Sequence, residues 1–289
     1  MNRIVIIGSS AAGHTLALGL RAKKVQCAIT LVTEEKFPAY DRRKLAGYFA
    51  GTVKEKELFL CAADTYAKEE IAFIKEAKVT GVNAERRTVY MKFDEKRDSI
   101  GYDTLVVCSG TKISLPELPG IQKEGVVAFN GLADMKAAKS IVISGPVCFF
   151  GGWDSRAAEL AAVLHAEKKE VIYFGAPPAG GIAGGVQVVD SRVAEMIGES
   201  GLQAVKLQEG KIIGTSFVIC AGPRLASTEF LKDTGVALEN GCITVDGAGR
   251  SSKDRIYACG AVTGKSDSWE DAVKQAEALT DTLAAIAAQ

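Results

Sequence analysis

Surplus charge of either sign is what this 289-residue chain lacks: Lys plus Arg and Asp plus Glu each number 35. No block of like charges stands out, so electrostatics give no reason to expect nucleic acid or a membrane surface as a partner. Long apolar runs are missing as well. The stretch Ile4 to Ile7 is strand length and ends at Gly8, without the basic lead and cleavage pattern of a signal segment. No run approaches the roughly 18 apolar residues that span a bilayer, and a cytoplasmic address is the expectation. The seven cysteines (Cys27, Cys61, Cys108, Cys148, Cys220, Cys242 and Cys259) form no CxxC pair and no Cys/His cluster at metal spacing. They read mostly as buried thiols in a reducing compartment, and no metal is expected. What is present is a chain 47% hydrophobic, long enough for two domains each burying its own core. Its partner is expected to be a small molecule or a protein.

Residues 3–7 read as a buried parallel strand, residues 13–24 as a helix packing on a sheet, and residues 28–32 as a second strand. Strand, glycine turn, helix and strand within about thirty residues make one βαβ unit. The pattern returns at residues 147–150, with Gly151 and Gly152, a helix over 155–167 and a strand over 170–174. Between these halves, residues 56–70 have helical character, while 75–82 and 88–93 alternate like paired strands leading into 102–108. Pro116, Pro119 and Gly120 then mark a crossing into a second domain. Beyond it, 212–220 and 243–246 read as strands, 191–200 as a helix with little clear sheet around it, and the Pro- and Gly-rich 176–185 as an irregular loop.

The segment Gly8-Ser9-Ser10-Ala11-Ala12-Gly13 fits G-x-G-x-x-G with serine at the middle glycine, and it sits between a strand and a helix. That placement raises its specificity. The first glycine allows a tight turn, the small residues let a pyrophosphate approach the backbone, and the helix start offers unpaired N–H groups and a positive dipole end. After the second strand come Thr33, Glu34 and Glu35, where an acid can accept from an adenosine ribose. The bland alternative is a close helix-to-strand packing turn with no ligand.

Four further segments carry a family resemblance. They are Pro38-Ala39-Tyr40-Asp41-Arg42 with Leu45; Tyr102-Asp103-Thr104-Leu105-Val106-Val107-Cys108-Ser109-Gly110-Thr111 with Leu118-Pro119-Gly120; Arg250-Ser251-Ser252 with Ile256-Tyr257-Ala258-Cys259-Gly260-Ala261-Val262; and Trp269 with residues 272–276. Together with the glycine turn they make the chain resemble the pyridine nucleotide-disulfide oxidoreductase superfamily over nearly its whole length. It looks most like NADH:rubredoxin or ferredoxin reductases and the flavin domain of nitrite reductases. The resemblance implies an α/β fold of two Rossmann-like domains, the second inserted into the first, in the three-layer ββα FAD/NAD(P)-binding arrangement. Residues 1–118 plus 243–289 would form the FAD domain and 119–242 an NAD(P)-binding-like domain. It also implies roles: Gly8, Ser10, Ala11, Ala12 and Gly13 around the FAD pyrophosphate, and Thr33, Glu34 or Glu35 near the ribose. Val79 would face the adenine, and Arg42 would make a charge-assisted contact. Cys108, Ser109, Gly110, Gly260, Ala261 and Trp269 would complete the cofactor's surroundings.

Where the sequence departs from that family is equally informative. Ala261 replaces the aspartate that follows the closing glycine, removing an acceptor for a ribityl hydroxyl at a cost of roughly 1.5–3 kcal/mol. The second glycine turn reads Gly152-Trp153-Asp154-Ser155-Arg156-Ala157, with an acid where a pyrophosphate needs a glycine. After its second strand, Phe174-Gly175-Ala176 offers neither an acid for NAD nor an arginine for NADP. This half reads as a degenerate nicotinamide domain whose use of NAD(P)H is open, with Arg156 either offsetting the charge or lying on the surface. The chain closes with a helix expected to end near Ala288, where the family continues into a further domain. A different interface, or a partner chain in a hetero-oligomeric complex, is the expectation.

The family's disulfide reductases keep a cysteine pair beside the flavin, because hydride leaves it by thiolate–disulfide exchange. Here that stretch is Asp41-Arg42-Arg43-Lys44. The chemistry that remains is a flavin exchanging electrons between NAD(P)H and a protein acceptor such as rubredoxin, ferredoxin or an iron–sulfur subunit, with no catalytic side chain required. Two other readings stay open: a degenerate flavin-binding or structural subunit of a redox complex, and an NAD-binding dehydrogenase using only the first unit. His14 and His165 read as surface residues, and Trp153 and Trp269 as packing or partner-facing ones.

Overall fold

The computed structural model describes residues 3–94, 96–178, 180–182, 184–266 and 268–287. The chain divides into two compact units: Met1–Asp41, Phe59–Thr111 and Ala226–Gln289 form the first, and Arg42–Leu58 with Lys112–Leu225 form the second. The second is thus inserted in the sequence of the first. Residues 42–58 and 112–118 fall in the second unit and 226–242 in the first, against expected boundaries at 118 and 243. Packing explains the first of these segments: Phe49 stacks on Phe217 at 6.0 Å, and Lys136 pairs with Glu55 at 2.6 Å.

In the first unit five parallel strands stand in the order Ile256–Ala258, Thr104–Val107, Arg3–Ile7, Ala28–Val32, Ile71–Ile74. Side chains of a strand alternate between faces, and two cores result. Ile4 and Ile6 pack with Leu16 and Leu20 of the helix Ala11–Ala22 and with Leu279 and Leu283 of the helix Trp269–Ala287. Val5 and Ile7 pack with Val89 and Met91 of an antiparallel meander, Lys78–Asn83, Thr88–Phe93 and Lys96–Gly101. Helices, parallel sheet and meander make three layers. The two helices approach closely because Gly19 leaves room: a Cβ there would stand 3.0 Å from Thr280 Oγ1.

The second unit repeats the plan, except that its outer strand Val126–Ala128 precedes the others in the chain where Ile256–Ala258 follows them. Its parallel sheet runs Val186–Val189, Val171–Phe174, Val147–Phe150, Phe217–Cys220, Val126–Ala128, and its own meander is Val193–Ile197, Ala204–Leu207, Ile212–Gly214. The helix expected over 191–200 is therefore a strand. Val193 and Met196 are both buried because a bulge between Val193 and Glu195 shifts the alternation, and the resulting three-residue spacing imitates a helix.

Other expectations also change. Residues 56–70 hold only the short turns Glu55–Glu57 and Thr65–Lys68, since Phe59 pairs with Tyr40 in extended form. Residues 212–220 split into two strands at Thr215, whose hydroxyl donates to Pro146 O at 2.7 Å and accepts from Phe217 N–H. The strand expected over 243–246 is the two-residue Cys242–Ile243, because Asp246 turns the chain by accepting from Ala248 and Arg250 N–H. Within 176–185, Ala179 and Ala183 lie outside the described residues, as does Ala288.

His14 is not a surface residue: its Nδ1 lies 2.8 Å from the hydroxyl of the buried Tyr66, edge to face with that ring. His165 is exposed. Burial lowers the pKa of His14 from its ordinary 6.5, so the folded chain resists a proton that the unfolded chain takes up as the pH falls through that value. Stability measured by urea unfolding should decline with pH below about 6.5 until folded His14 itself titrates, and His14→Gln should remove part of that slope. Leu16→Ala, at a fully buried position shared by both helices, should cost about 2–5 kcal/mol in the same assay.

Candidate functional site

The strands Arg3–Ile7, Ala28–Val32, Thr104–Val107 and Ile256–Ala258 run parallel, so their carboxyl ends share one edge. Ligands of open α/β sheets bind outside that edge. Gly8 leaves the first strand at φ +102, with its N–H donating to Val32 O at 2.8 Å, and a Cβ there would lie 2.2 Å from the Cys108 carbonyl oxygen. Gly13 closes the turn more tightly still: its Cβ would fall 1.8 Å from Gly8 O. Both glycines are thus demanded by backbone packing, with or without a ligand.

Gly260 adopts φ +82 and faces Ala12, with a Cβ there reaching 3.0 Å from that methyl group. Its N–H donates to Gln275 Oε1 at 2.8 Å. Ser109 donates from its hydroxyl to Ser227 O at 2.7 Å, and Ser227 N–H returns a bond to Gly110 O. Gly8, Ala12, Gly13, Cys108, Ser109, Gly110 and Gly260 therefore converge, with Ser10, Ala11 and Ala261 carried alongside by the chain. Half-buried Trp269 opens the last helix and packs on the core that holds Ala12 and Cys108. Thr33 bonds through its carbonyl to Ala77 N–H at 2.9 Å and through its hydroxyl to Glu35 N–H; Glu34 is exposed and Glu35 half-buried. Val79, two residues past Ala77, packs into the meander core. Arg42 belongs to the second unit, where its guanidinium donates to Asn130 O.

The helix start at this edge suits an anion. Ser10 is the N-cap residue but makes no side-chain capping bond, and the first turn carries no acid, which leaves the dipole's positive end and the first N–H groups facing outward. Ser227 and Gln275, which brace the loop, went unnoticed in the sequence because an isolated polar residue carries no local signal. Cys108 and Cys259 also meet unannounced, Sγ to Sγ at 3.4 Å, since Val107 and Ala258 are paired neighbours. The hydrogen bond from Cys259, then burial, pushes the Cys108 thiol well up, so it stays protonated at neutral pH and is a poor nucleophile. Among the described residues, no group of three or more His, Cys, Asp or Glu could hold a metal ion, and no helix is long and apolar enough to cross a membrane.

The corresponding turn of the second unit is built differently. Gly151 packs on the loop after Phe217–Cys220, with a Cβ at 2.3 Å from Gly222 O. Half-buried Trp153 sets its ring edge-on to Phe149 at 5.6 Å and Tyr173 at 5.0 Å. Asp154 caps the helix Ser155–Ala166, its Oδ1 accepting from Ala157 N–H at 2.9 Å and its Oδ2 from Arg224 Nε at 2.8 Å.

Comparison with known proteins agrees with this geometry. The family model for pyridine nucleotide-disulphide oxidoreductases matches residues 2–178 and 182–276. The chain is 25% identical over 279 residues to the ferredoxin–NAD(+) reductase subunit of a benzene 1,2-dioxygenase system from Pseudomonas putida, covering 90% of this chain and 67% of that one. It is 26% identical over 274 residues to an NADH-rubredoxin oxidoreductase from Clostridium acetobutylicum, covering 90% and 68% respectively. It thus spans about two thirds of the length of these relatives. The fold matches putidaredoxin reductase in its covalent complex with putidaredoxin, with a TM-score of 0.87 at 20% identity over 98% of this chain and 75% of that one. The chain belongs to the pyridine nucleotide-disulphide oxidoreductase family, and it is an oxidoreductase that works with FAD.

Proposed function

We propose that the first unit holds FAD at the first glycine turn and that the bound flavin passes electrons between NAD(P)H and a protein acceptor of iron–sulfur or rubredoxin type. The observation that carries this reading is the uncapped helix start at Ser10, ringed by Gly8, Gly13, Ser109 and Gly260 at the carboxyl ends of the strands. These residues suit a dinucleotide: no side-chain carboxylate sits in the first helical turn, and small residues let the backbone approach a diphosphate. Ser10, Ala11, Ala12 and Gly13 would hold the pyrophosphate, Glu34 or Glu35 the ribose, and Ser109, Gly110, Gly260 and Ala261 the ribityl and ring portions. Val79 would lie toward the adenine, and Trp269 toward the cofactor's other end.

When bound, the isoalloxazine accepts electrons in a pair and releases them singly. The protein binds and orients the ring, and Cys108, held as the thiol, takes no part as a nucleophile. The acceptor is drawn from the relatives' names, which specify ferredoxin and rubredoxin. A second reading, a flavin-carrying subunit that does not itself take NAD(P)H, is favoured by the capped turn at Asp154.

Purified protein incubated with FAD and desalted should retain a flavin absorption band, bleached by NADH or NADPH and restored by oxidised rubredoxin or ferredoxin. A chain that retains no flavin contradicts the proposal. Ala261→Asp, which restores a ribityl acceptor, should tighten FAD binding by about ten- to a hundred-fold in equilibrium titration. Gly13→Ala should abolish retention, because the added methyl cannot fit against Gly8 O.

A further inference from the structure

The two units place twin helices of 12 residues after matching strands, Ala11–Ala22 and Ser155–Ala166, and the two helix starts differ in one respect that decides what each can bind. At Ser10 the side chain leaves the first turn uncapped; at Asp154 a carboxylate bonds back to the third residue on, Ala157. The N-cap position is where a phosphate oxygen would otherwise meet those N–H groups and the helix dipole. Asp154 supplies the same chemistry from within the chain: an oxygen acceptor and a negative charge.

Arg224 completes the arrangement. Its Nε binds Asp154 Oδ2 at 2.8 Å, its Nη2 donates to Phe129 O at 2.9 Å, and the side chain is only 15% exposed. The third nitrogen, Nη1, is buried and has no hydrogen-bond partner among the described residues. An arginine fork normally satisfies all its donors when buried. Here Nη1, with its two N–H groups, is left over beside a carboxylate already in use, as expected where a larger anion would take up Nε and Nη1 together.

We infer that Asp154, clamped by Arg224, is an internal competitor of the nucleotide pyrophosphate, so that the second unit is a dinucleotide site held shut by its own carboxylate. An entering diphosphate must displace Asp154 from both Ala157 N–H and Arg224, or meet its negative charge at close range. Two like charges contending for one helix start and one guanidinium oppose each other. Neutralising Asp154 removes the charge from the helix end and releases Arg224 Nε, which together with Nη1 can serve phosphate oxygens while Nη2 stays on Phe129 O. The inference concerns the nucleotide side alone and rests on the proposed function only in taking that ligand to be NAD(P)H.

The test is a calorimetric titration of the full chain, with and without FAD, using NADH, NADPH and inorganic pyrophosphate separately. Trp153, next to the turn, gives a parallel fluorescence readout. Asp154→Asn and Asp154→Ser remove the charge while keeping residues that cap a helix, and their melting temperatures report folding. The wild-type chain should bind all three ligands weakly, and at least one of the two variants should bind NADH or NADPH and pyrophosphate at least ten-fold more tightly. Arg224→Met, combined with either variant, should erase that gain. Micromolar nucleotide binding by the wild type, or folded Asn and Ser variants that bind no more tightly than it does, would overturn the inference. Pyrophosphate binding is measured without flavin, so loss of the flavin band would count against the proposed function and leave this result standing.

Discussion

The closure of the first glycine turn, Gly13 pressed on the Gly8 carbonyl while Gly8 lies against Cys108 O, is the constraint on which the rest of the first unit depends. It fixes the helix Ala11–Ala22 over the sheet, and it does so backbone to backbone, where no side chain can yield. From that position the helix carries Leu16 and Leu20 into the core shared with Leu279 and Leu283. The same closure brings Ala12 against Gly260, so the last segment of the unit is registered on the first turn. The proposed dinucleotide site rests on this close packing, because the surfaces that let strands and helix touch also let a phosphate approach the backbone.

The internal repetition gives the molecule its own control. Both units contain the run strand, helix, two strands, antiparallel meander, strand, and in both the loop after the strand that closes this run, Thr104–Val107 or Phe217–Cys220, packs on the glycine that leaves the strand opening it. The architecture tolerated the repetition while the helix starts diverged. Ser10 leaves its helix end available; Asp154, Arg224 and the aromatic trio of Trp153, Phe149 and Tyr173 occupy the other with protein groups. The Arg224–Asp154 pair is part-buried, and removing the carboxylate alone would leave the largely buried guanidinium without its counter-charge.

Cysteine illustrates how chemistry depends on surroundings more than on residue type. Cys108 and Cys259 form a close pair beside the proposed flavin site, yet the hydrogen bond from Cys259, then burial, keeps Cys108 in its thiol form. Burial likewise pushes the Cys148 thiol up to about 12. Proximity alone does not make such thiols reactive, since the thiolate is the nucleophile.

By itself the sequence determined the fold class, both glycine turns and the run of motifs through Tyr102 and Gly260, because each rests on local periodicity or on small residues at fixed spacing. The central parallel strands Arg3–Ile7, Ala28–Val32, Thr104–Val107, Val147–Phe150, Val171–Phe174 and Phe217–Cys220 were legible as short, mostly apolar runs, whereas the outer strands Ile71–Ile74, Val126–Ala128 and Val186–Val189 were not. Only tertiary structure decided the meander at Val193–Ile197, where a bulge disguised a strand, and the burial of His14 against Tyr66, which lies 52 residues away. It alone decided the pairing of Asp154 with Arg224 across 70 residues and the bracing of Gly260 by Gln275. Contacts between distant segments leave no mark on the periodicity of either one, and a carboxylate reads alike in sequence whether it faces water or closes a site.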